Sequence, residues 1–290
     1  MIRLAVVSGK GGTGKTVIAA ALADLNPDLS VNADCDVDAA NLELLLGTRE
    51  TEEEPFIGMK KGYIDPDRCT ACGECARVCR FRAIRKEDGR YSVDPIRCEG
   101  CGACGIVCPA EAVRLRPEVS GSLYWSKTRA GPLAHARLTP GAGNSGLLVN
   151  AVKRKAAEHM GERELLLIDG PPGTGCPLIS TLAGADVVLV IVEPSISGLH
   201  DAERLVRVAR RFRPRIFCVI NRWDLSPEIT GQIEDWCSAE NIPVLGRIPF
   251  DPAVVEAVRQ GIPVTRVRGP ASKAIRTIAA RLDETPGVQT

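Results

Sequence analysis

Two groups of residues in this 290-residue chain have the types and spacing to do chemistry. The first is Gly9-Lys10-Gly11-Gly12-Thr13-Gly14-Lys15-Thr16, which fits GxxxxGK[ST] and runs on through Val17. Glycines at this spacing let backbone N–H groups converge on phosphate oxygens at the start of a helix. Lys15 then reaches the β and γ phosphates, and the Thr16 hydroxyl is placed for Mg2+. The expected ligand is Mg-ATP. The second group is Cys69-x2-Cys72-x2-Cys75-x3-Cys79, repeated as Cys98-x2-Cys101-x2-Cys104-x3-Cys108-Pro109. Clusters this tight point to metal in a reducing compartment and not to disulfides. Zinc ribbons use pairs of ligands, whereas three cysteines at x2 spacing, twice over, suit two 4Fe–4S clusters.

The elements that must position these groups follow from the apolar pattern. Buried parallel strands are expected at Ile2–Val7, Leu29–Asn32, Leu165–Ile168, Val187–Val192, Ile216–Ile220 and Val244–Ile248. Helices are expected at Thr16–Leu25, Ala39–Leu46, Ser145–His159, Leu199–Phe212, Pro227–Glu240 and Pro252–Arg259. This alternation predicts an α/β fold, a doubly wound and mostly parallel sheet that gathers ligands at the carboxyl ends of its strands. It stops after Gly47, passes the acidic Glu50–Glu54 and resumes past Pro117. Between them the chain repeats itself at an offset of 29 residues: Asp65-Pro66 returns as Asp94-Pro95, and Arg68-Cys69 as Arg97-Cys98. The expected organisation is a nucleotide-binding part at 1–59, an inserted cysteine module at 60–117 and the rest of the nucleotide-binding part at 118–290.

Lys10 is not needed by an ordinary phosphate loop, and with it the segment resembles the superfamily of MinD, ParA and the nitrogenase iron protein, whose loop carries this deviant second lysine. The resemblance implies a nucleotide-dependent homodimer in which Lys10 of one subunit contacts the phosphates held by the other. Asn32-Ala33-Asp34-Cys35-Asp36-Val37-Asp38 resembles switch I, with Asp36 at the position that orients or deprotonates the attacking water. Asp169-Gly170-Pro171-Pro172 resembles switch II, with Asp169 holding a Mg-bound water, and Asn221-Arg222 resembles the adenine-reading segment. Asp34 and Asp38 stand open between capping or solvated carboxylates and functional ones.

The cysteine runs are those of bacterial ferredoxins, a small α+β module, in which the fourth cysteine of each run serves the other cluster. One cluster is then held by Cys69, Cys72, Cys75 and Cys108, and the other by Cys98, Cys101, Cys104 and Cys79. Arg80 departs from the proline usual after the fourth cysteine. Taken together, the chain resembles MinD-superfamily ATPases that carry an inserted ferredoxin. That implies an ATPase gating electron transfer to a protein partner or a metallocofactor-assembly target, with a maturation factor or a MinD-like or ParA-like positioning protein as rivals.

A net charge of +1 exerts no general pull on nucleic acid or anionic lipid, and the short apolar start is neither a secretory leader nor a span. The expectations are therefore a cytoplasmic protein, no nucleic acid and no membrane. The tail Ala271–Leu282, with Ala274, Ile275, Ile278 and Leu282 on one face, reads as a core-packing helix. Cys35, Cys218 and Cys237 read as packing. Cys176 stands at the offset past Asp169 where the nitrogenase iron protein has a cluster ligand, but without a second such cysteine it reads as a buried thiol. The stretch Gly131–Asn144 is expected as a loop at the nucleotide face, with His135 either a capping residue or a functional one.

Overall fold

The computed structural model describes residues 1–284. In chain order its elements are β1 (Ile2–Ser8), α1 (Lys15–Leu25), β2 (Ser30–Asp34), α2 (Leu42–Leu46), β3 (Arg49–Ile57), β4 (Lys61–Ile64), α3 (Glu74–Val78) and β5 (Ile84–Glu87). There follow β6 (Arg90–Val93), α4 (Ala103–Ile106), β7 (Val113–Arg116), β8 (Val119–Lys127), β9 (Leu133–Leu138), α5 (Ser145–Glu158), β10 (Leu165–Pro172) and α6 (Cys176–Leu182). The chain ends with β11 (Val187–Val192), α7 (Ile196–Ala209), β12 (Arg215–Asn221), α8 (Pro227–Ala239), β13 (Val244–Ile248), α9 (Pro252–Arg259) and α10 (Pro270–Asp283).

The chain divides into two units. The first comprises Met1–Glu53, Leu123–Arg137 and the chain from Ser145 on; the second comprises Glu54–Ser122 and Leu138–Asn144. A nine-stranded sheet runs β13-β12-β11-β1-β10-β2-β9-β8-β3, with parallel pairing from β13 through to β9. Its central strands are apolar throughout: every residue of Val187–Val192 is buried, as expected of a strand covered by helices on both faces. Helix α1 buries Ile18 and Leu22 among four alanines, small side chains that let it lie close on the sheet. The tail helix α10 buries Ile275, Ile278 and Leu282, with Ala274 partly covered, so it packs on the core as its periodicity predicts.

Three stretches differ from the sequence expectation. The acidic run is not a connection but most of β3, the edge strand of the sheet, where exposed glutamates guard unpaired backbone groups against further strand addition. Residues 133–138 are not a loop at the nucleotide face; they form β9, hydrogen-bonded beside β2, because Leu133, Ala134 and Ala136 are apolar enough to enter the core. Cys176 is exposed at the start of α6, not buried, because Gly175 and Pro177 begin a helix whose buried face is Leu178, Thr181 and Leu182. Cys35, Cys218 and Cys237 are fully enclosed.

The second unit displays the repeat. Strand β4 pairs antiparallel with β7, and β5 with β6. Asp65 N–H donates to Ala112 O at 2.8 Å and Asp94 N–H to Ala83 O at 2.7 Å, so each half is tied to the other through equivalent residues. Left-handed backbone recurs at the same offset, with φ +83° at Gly73 and +80° at Gly102.

Candidate functional site

At the carboxyl end of β1 the chain leaves the sheet through the glycine loop and enters α1, lining a cavity of about 730 Å³ with Gly11–Val17, Asp36, Asp38, Pro171, Pro172 and Arg222. Gly14 caps α1 at φ +88°, and a Cβ there would also strike the Asn221 amide. Glycine offers no side chain to cap the helix, so the first-turn N–H groups face the cavity. Gly9 is required by crowding: an added Cβ would lie 2.5 Å from Asp201 Cβ. Asn221 is buried and donates its amide N–H to Thr13 O at 2.7 Å, bracing the loop from β12.

The charged groups come from three strand ends. Lys15 Nζ donates to Asp169 Oδ1 at 3.2 Å and lies 3.8 Å from Asp36 Oδ2. Burial works against the Lys15 charge, but Asp169 and Asp36 outweigh it and hold its pKa above the ordinary lysine value. Burial and then Asp169 push the Asp34 carboxyl up to about 8, and burial raises that of Asp36 against the pull of Lys15. Three carboxyl groups crowd one ammonium, and their mutual repulsion adds to burial in raising the pKa values of Asp34 and Asp36. Two buried atoms at this end of the sheet, Thr13 Oγ1 and Asp169 Oδ2, have no hydrogen-bond partner among the described residues. Thr16 lines the same cavity.

Asp34 resolves toward structure. Its Oδ1 accepts from Asp36 N–H at 3.1 Å, and its Oδ2 accepts from Asn41 and Leu42 N–H at 3.1 and 3.0 Å. It therefore shapes the loop that presents Asp36, while Asp38 is an exposed part of the cavity wall.

Lys10 has a partner that sequence reasoning missed. Its Nζ lies 2.5 Å from Glu193 Oε1 and donates to Ser195 Oγ at 3.0 Å and Ser197 Oγ at 3.3 Å. The other oxygen of Glu193 lies 3.5 Å from Arg222 Nη1, so one carboxylate just past β11 holds two basic residues of the site. A smaller adjoining cavity is lined by Asn221, Arg222 and Pro249–Asp251, and the last three were also missed. Their signal was the Asp-Pro step: Asp251 caps α9 by accepting from Ala253 N–H at 3.0 Å and anchors α10 through Ala271 N–H at 3.2 Å.

His135 is 2% exposed, inside β9. Its Nε2 lies 2.9 Å from Ser126 Oγ on β8, its Nδ1 lies 3.2 Å from Glu43 on α2, and its ring stacks on Tyr124. Burial lowers its pKa, opposed by the Glu43 charge. The arrangement has the look of a nucleophile relay, but with Ser126 wholly enclosed no substrate can reach it, so it is a packing network.

In the second unit the cysteines sort into two small cavities. One is lined by Cys69, Cys72, Cys75 and Cys108, the other by Cys79, Cys98, Cys101 and Cys104. Backbone N–H groups point at their sulfurs: Ala83 to Cys79 and Gly62 and Gly100 to Cys98 at 3.4 Å, and Ala112 to Cys108 at 3.3 Å. Among the described residues, no three or more His, Cys, Asp or Glu side chains are arranged to hold a single metal ion.

The model of the CobQ/CobB/MinD/ParA nucleotide-binding domain matches residues 4–264. The chain belongs to this family. It is 34% identical to an uncharacterised protein of Methanocaldococcus jannaschii, over 98% of this chain and 97% of that one. It is 24% identical to an iron-sulfur cluster carrier protein of Pyrococcus furiosus, over 97% of this chain and 85% of that one. Among solved structures, MinD of Pyrococcus horikoshii complexed with Mg-ADP shares the fold, with a TM-score of 0.60 at 19% identity, over 100% of this chain and 98% of that one. Membership of this P-loop family supports ATPase activity in general. Among the described residues no helix is long and apolar enough to cross a membrane.

Proposed function

We propose that this chain is a Mg-dependent ATPase whose nucleotide-driven homodimerisation gates electron transfer from two 4Fe–4S clusters to a protein partner or a metallocofactor-assembly target. The observation that carries the reading is the sorting of eight cysteines into two four-cysteine cavities, each taking its fourth member from the other run. This is the ligand set expected of a two-cluster ferredoxin, and N–H groups aimed at the sulfurs are the hydrogen bonds that stabilise and tune such ligands. When bound, the clusters supply one-electron redox chemistry.

On the nucleotide side, Gly9–Val17 wrap the phosphates and Lys15 neutralises them. The orphaned Thr13 and Asp169 oxygens suit a hydrated Mg2+ and its phosphates, with Thr16 as direct ligand. Asp36 orients the attacking water, while Asn221 and Arg222 border the base. Lys10 crosses to the other subunit's nucleotide once it leaves Glu193. The test is twofold. Anaerobically purified protein is expected to hold about eight iron and eight sulfide per chain, a count set by two four-iron clusters. Lys10→Ala is expected to keep monomeric nucleotide binding but lose ATP-dependent dimerisation and hydrolysis. Stoichiometric zinc without sulfide would remove the clusters from this reading; wild-type turnover by the Lys10 variant would remove the dimer.

A second reading, a cluster carrier, draws on the relatives with that name and on the exposed Cys176. Transfer of iron and sulfide to an apo-acceptor, lost in Cys176→Ser, would favour it over electron transfer.

A further inference from the structure

The two halves of the cysteine unit share one backbone but display different chemistry beside the fourth cysteine of each run. Arg82 and Glu111 occupy equivalent left-handed turns, φ +50° and +48°, and their N–H groups donate to Cys79 O and Cys108 O at 3.2 and 3.1 Å. After Cys108 the turn reads Pro109-Ala110-Glu111, and Glu111 lies 3.6 Å from Arg68. After Cys79 it reads Arg80-Phe81-Arg82, all three exposed, and among the described residues neither arginine has an ion-pair partner. Phe81 is 44% exposed yet also lines the cavity of Cys79, Cys98, Cys101 and Cys104. The following hairpin is mixed in charge, with Lys86 and Arg90 against Glu87 and Asp88 and with Arg85 paired to Asp94 at 3.4 Å, so the unpaired basic charge is concentrated on the turn itself. Since the backbone is common to both turns, folding does not require these side chains; they are free to serve contact with another molecule.

We infer that Arg80-Phe81-Arg82 is the docking surface for an acidic electron-transfer protein, which exchanges electrons through the cavity of Cys79, Cys98, Cys101 and Cys104. This rests on reading that cavity as a 4Fe–4S site. Unpaired arginines steer an acidic surface into register, and the aromatic ring between them provides the apolar centre over which water is excluded. Redox encounters are small, under about 1,200 Å² in total, so a turn of this size is an adequate core for one. One electron passes per encounter: the centre that gives it up is oxidised by one unit, the other is reduced by one, and no bond or proton moves.

The test replaces the turn with its own counterpart, Arg80→Pro/Phe81→Ala/Arg82→Glu. Cys79, at φ −73° and ψ 100°, is already extended as a residue before proline must be. The probe is a small acidic flavodoxin, titrated calorimetrically against the anaerobic full-length protein at about 20 and 200 mM salt, on either side of strong screening. Wild type is expected to bind, more weakly at high salt. The replaced turn should bind about ten-fold or more weakly, as loss of two attractive charges and gain of one repulsive charge requires. Its iron, sulfide and visible absorption should be unchanged, and Glu111→Gln should bind as wild type does. No binding by wild type, or equal binding by the replaced turn with its iron intact, overturns the proposal. So does binding of a single-stranded oligonucleotide, lost in the same variant, without binding of flavodoxin. Wild type lacking iron and sulfide would instead fail the cluster reading beneath it.

Discussion

Lys10 and Lys15 belong to the same loop, yet the structure gives them opposite company. Lys15 is buried against Asp169 and Asp36, where incoming phosphates and Mg2+ replace one set of charges by another. Lys10 is partly exposed and parked on Glu193. Lys15→Ala is therefore expected to abolish nucleotide binding. Glu193→Gln should release Lys10 for the other subunit's nucleotide, tightening the ATP-dependent dimer by about 5-fold, the equivalent of one partly exposed ion pair. Sedimentation equilibrium with ATP measures it, and a dimer no tighter than wild type would show that Glu193 does not hold Lys10 back. Asp34→Asn is expected to unfold more easily by about 2 kcal/mol, because an amide N–H2 would face the Asn41 and Leu42 N–H groups and leave donors unpaired. Asp38→Asn, on the exposed wall, should melt as wild type does.

Among the elements, β9 carries the consequence that the sequence reading placed elsewhere. Its His135 is held neutral by burial between Ser126 and Glu43, and Glu43 stands on α2, directly after the loop that Asp34 shapes. A histidine whose folded pKa is depressed contributes stability that is intact above its unfolded pKa of 6.5 and is lost as pH falls through the folded value. Thermal stability should therefore decline below about pH 6.5, where a free imidazole begins to take up its proton. In His135→Gln this part of the slope should vanish. Identical pH profiles for the two proteins would show that Glu43 compensates the burial in full.

For the whole molecule, the chain passes between its two units along β3, β8 and β9, and between Asn144 and Ser145. Three of the four crossings run in or at the end of a strand, and β9 holds the His135 network. If nucleotide closes a dimer, strands transmit displacement better than loops, and linkage requires reciprocity. If the cysteine unit carries its clusters, their oxidation state should then change ATP affinity by about 5-fold to 150-fold, and ATP should shift their potentials by the same coupling free energy. Titrations of oxidised and reduced protein, paired with potentiometry with and without nucleotide, measure both. Equal affinities and unmoved potentials would mean two modules that share only a backbone.

From sequence alone one could read what depends on short spacing and local period. Gly9–Thr16 sets a loop by its glycines, the two cysteine runs mark a repeated module by their spacing, and Val187–Val192 sets a buried strand by being apolar throughout. The start of α9 was legible because Pro252, a residue favoured in the first turn of a helix, is a local signal. What the tertiary structure decided is whatever depends on partners distant in the chain. That β3 and β9 are strands follows from their neighbours in the sheet, because an acidic run and a mixed Leu-Ala-His-Ala-Arg-Leu segment have no decisive period of their own. Glu193 meets Lys10, and His135 meets Glu43, across separations that no motif encodes. Cys176 is exposed because burial belongs to a helix's orientation on the core, which its sequence position does not specify.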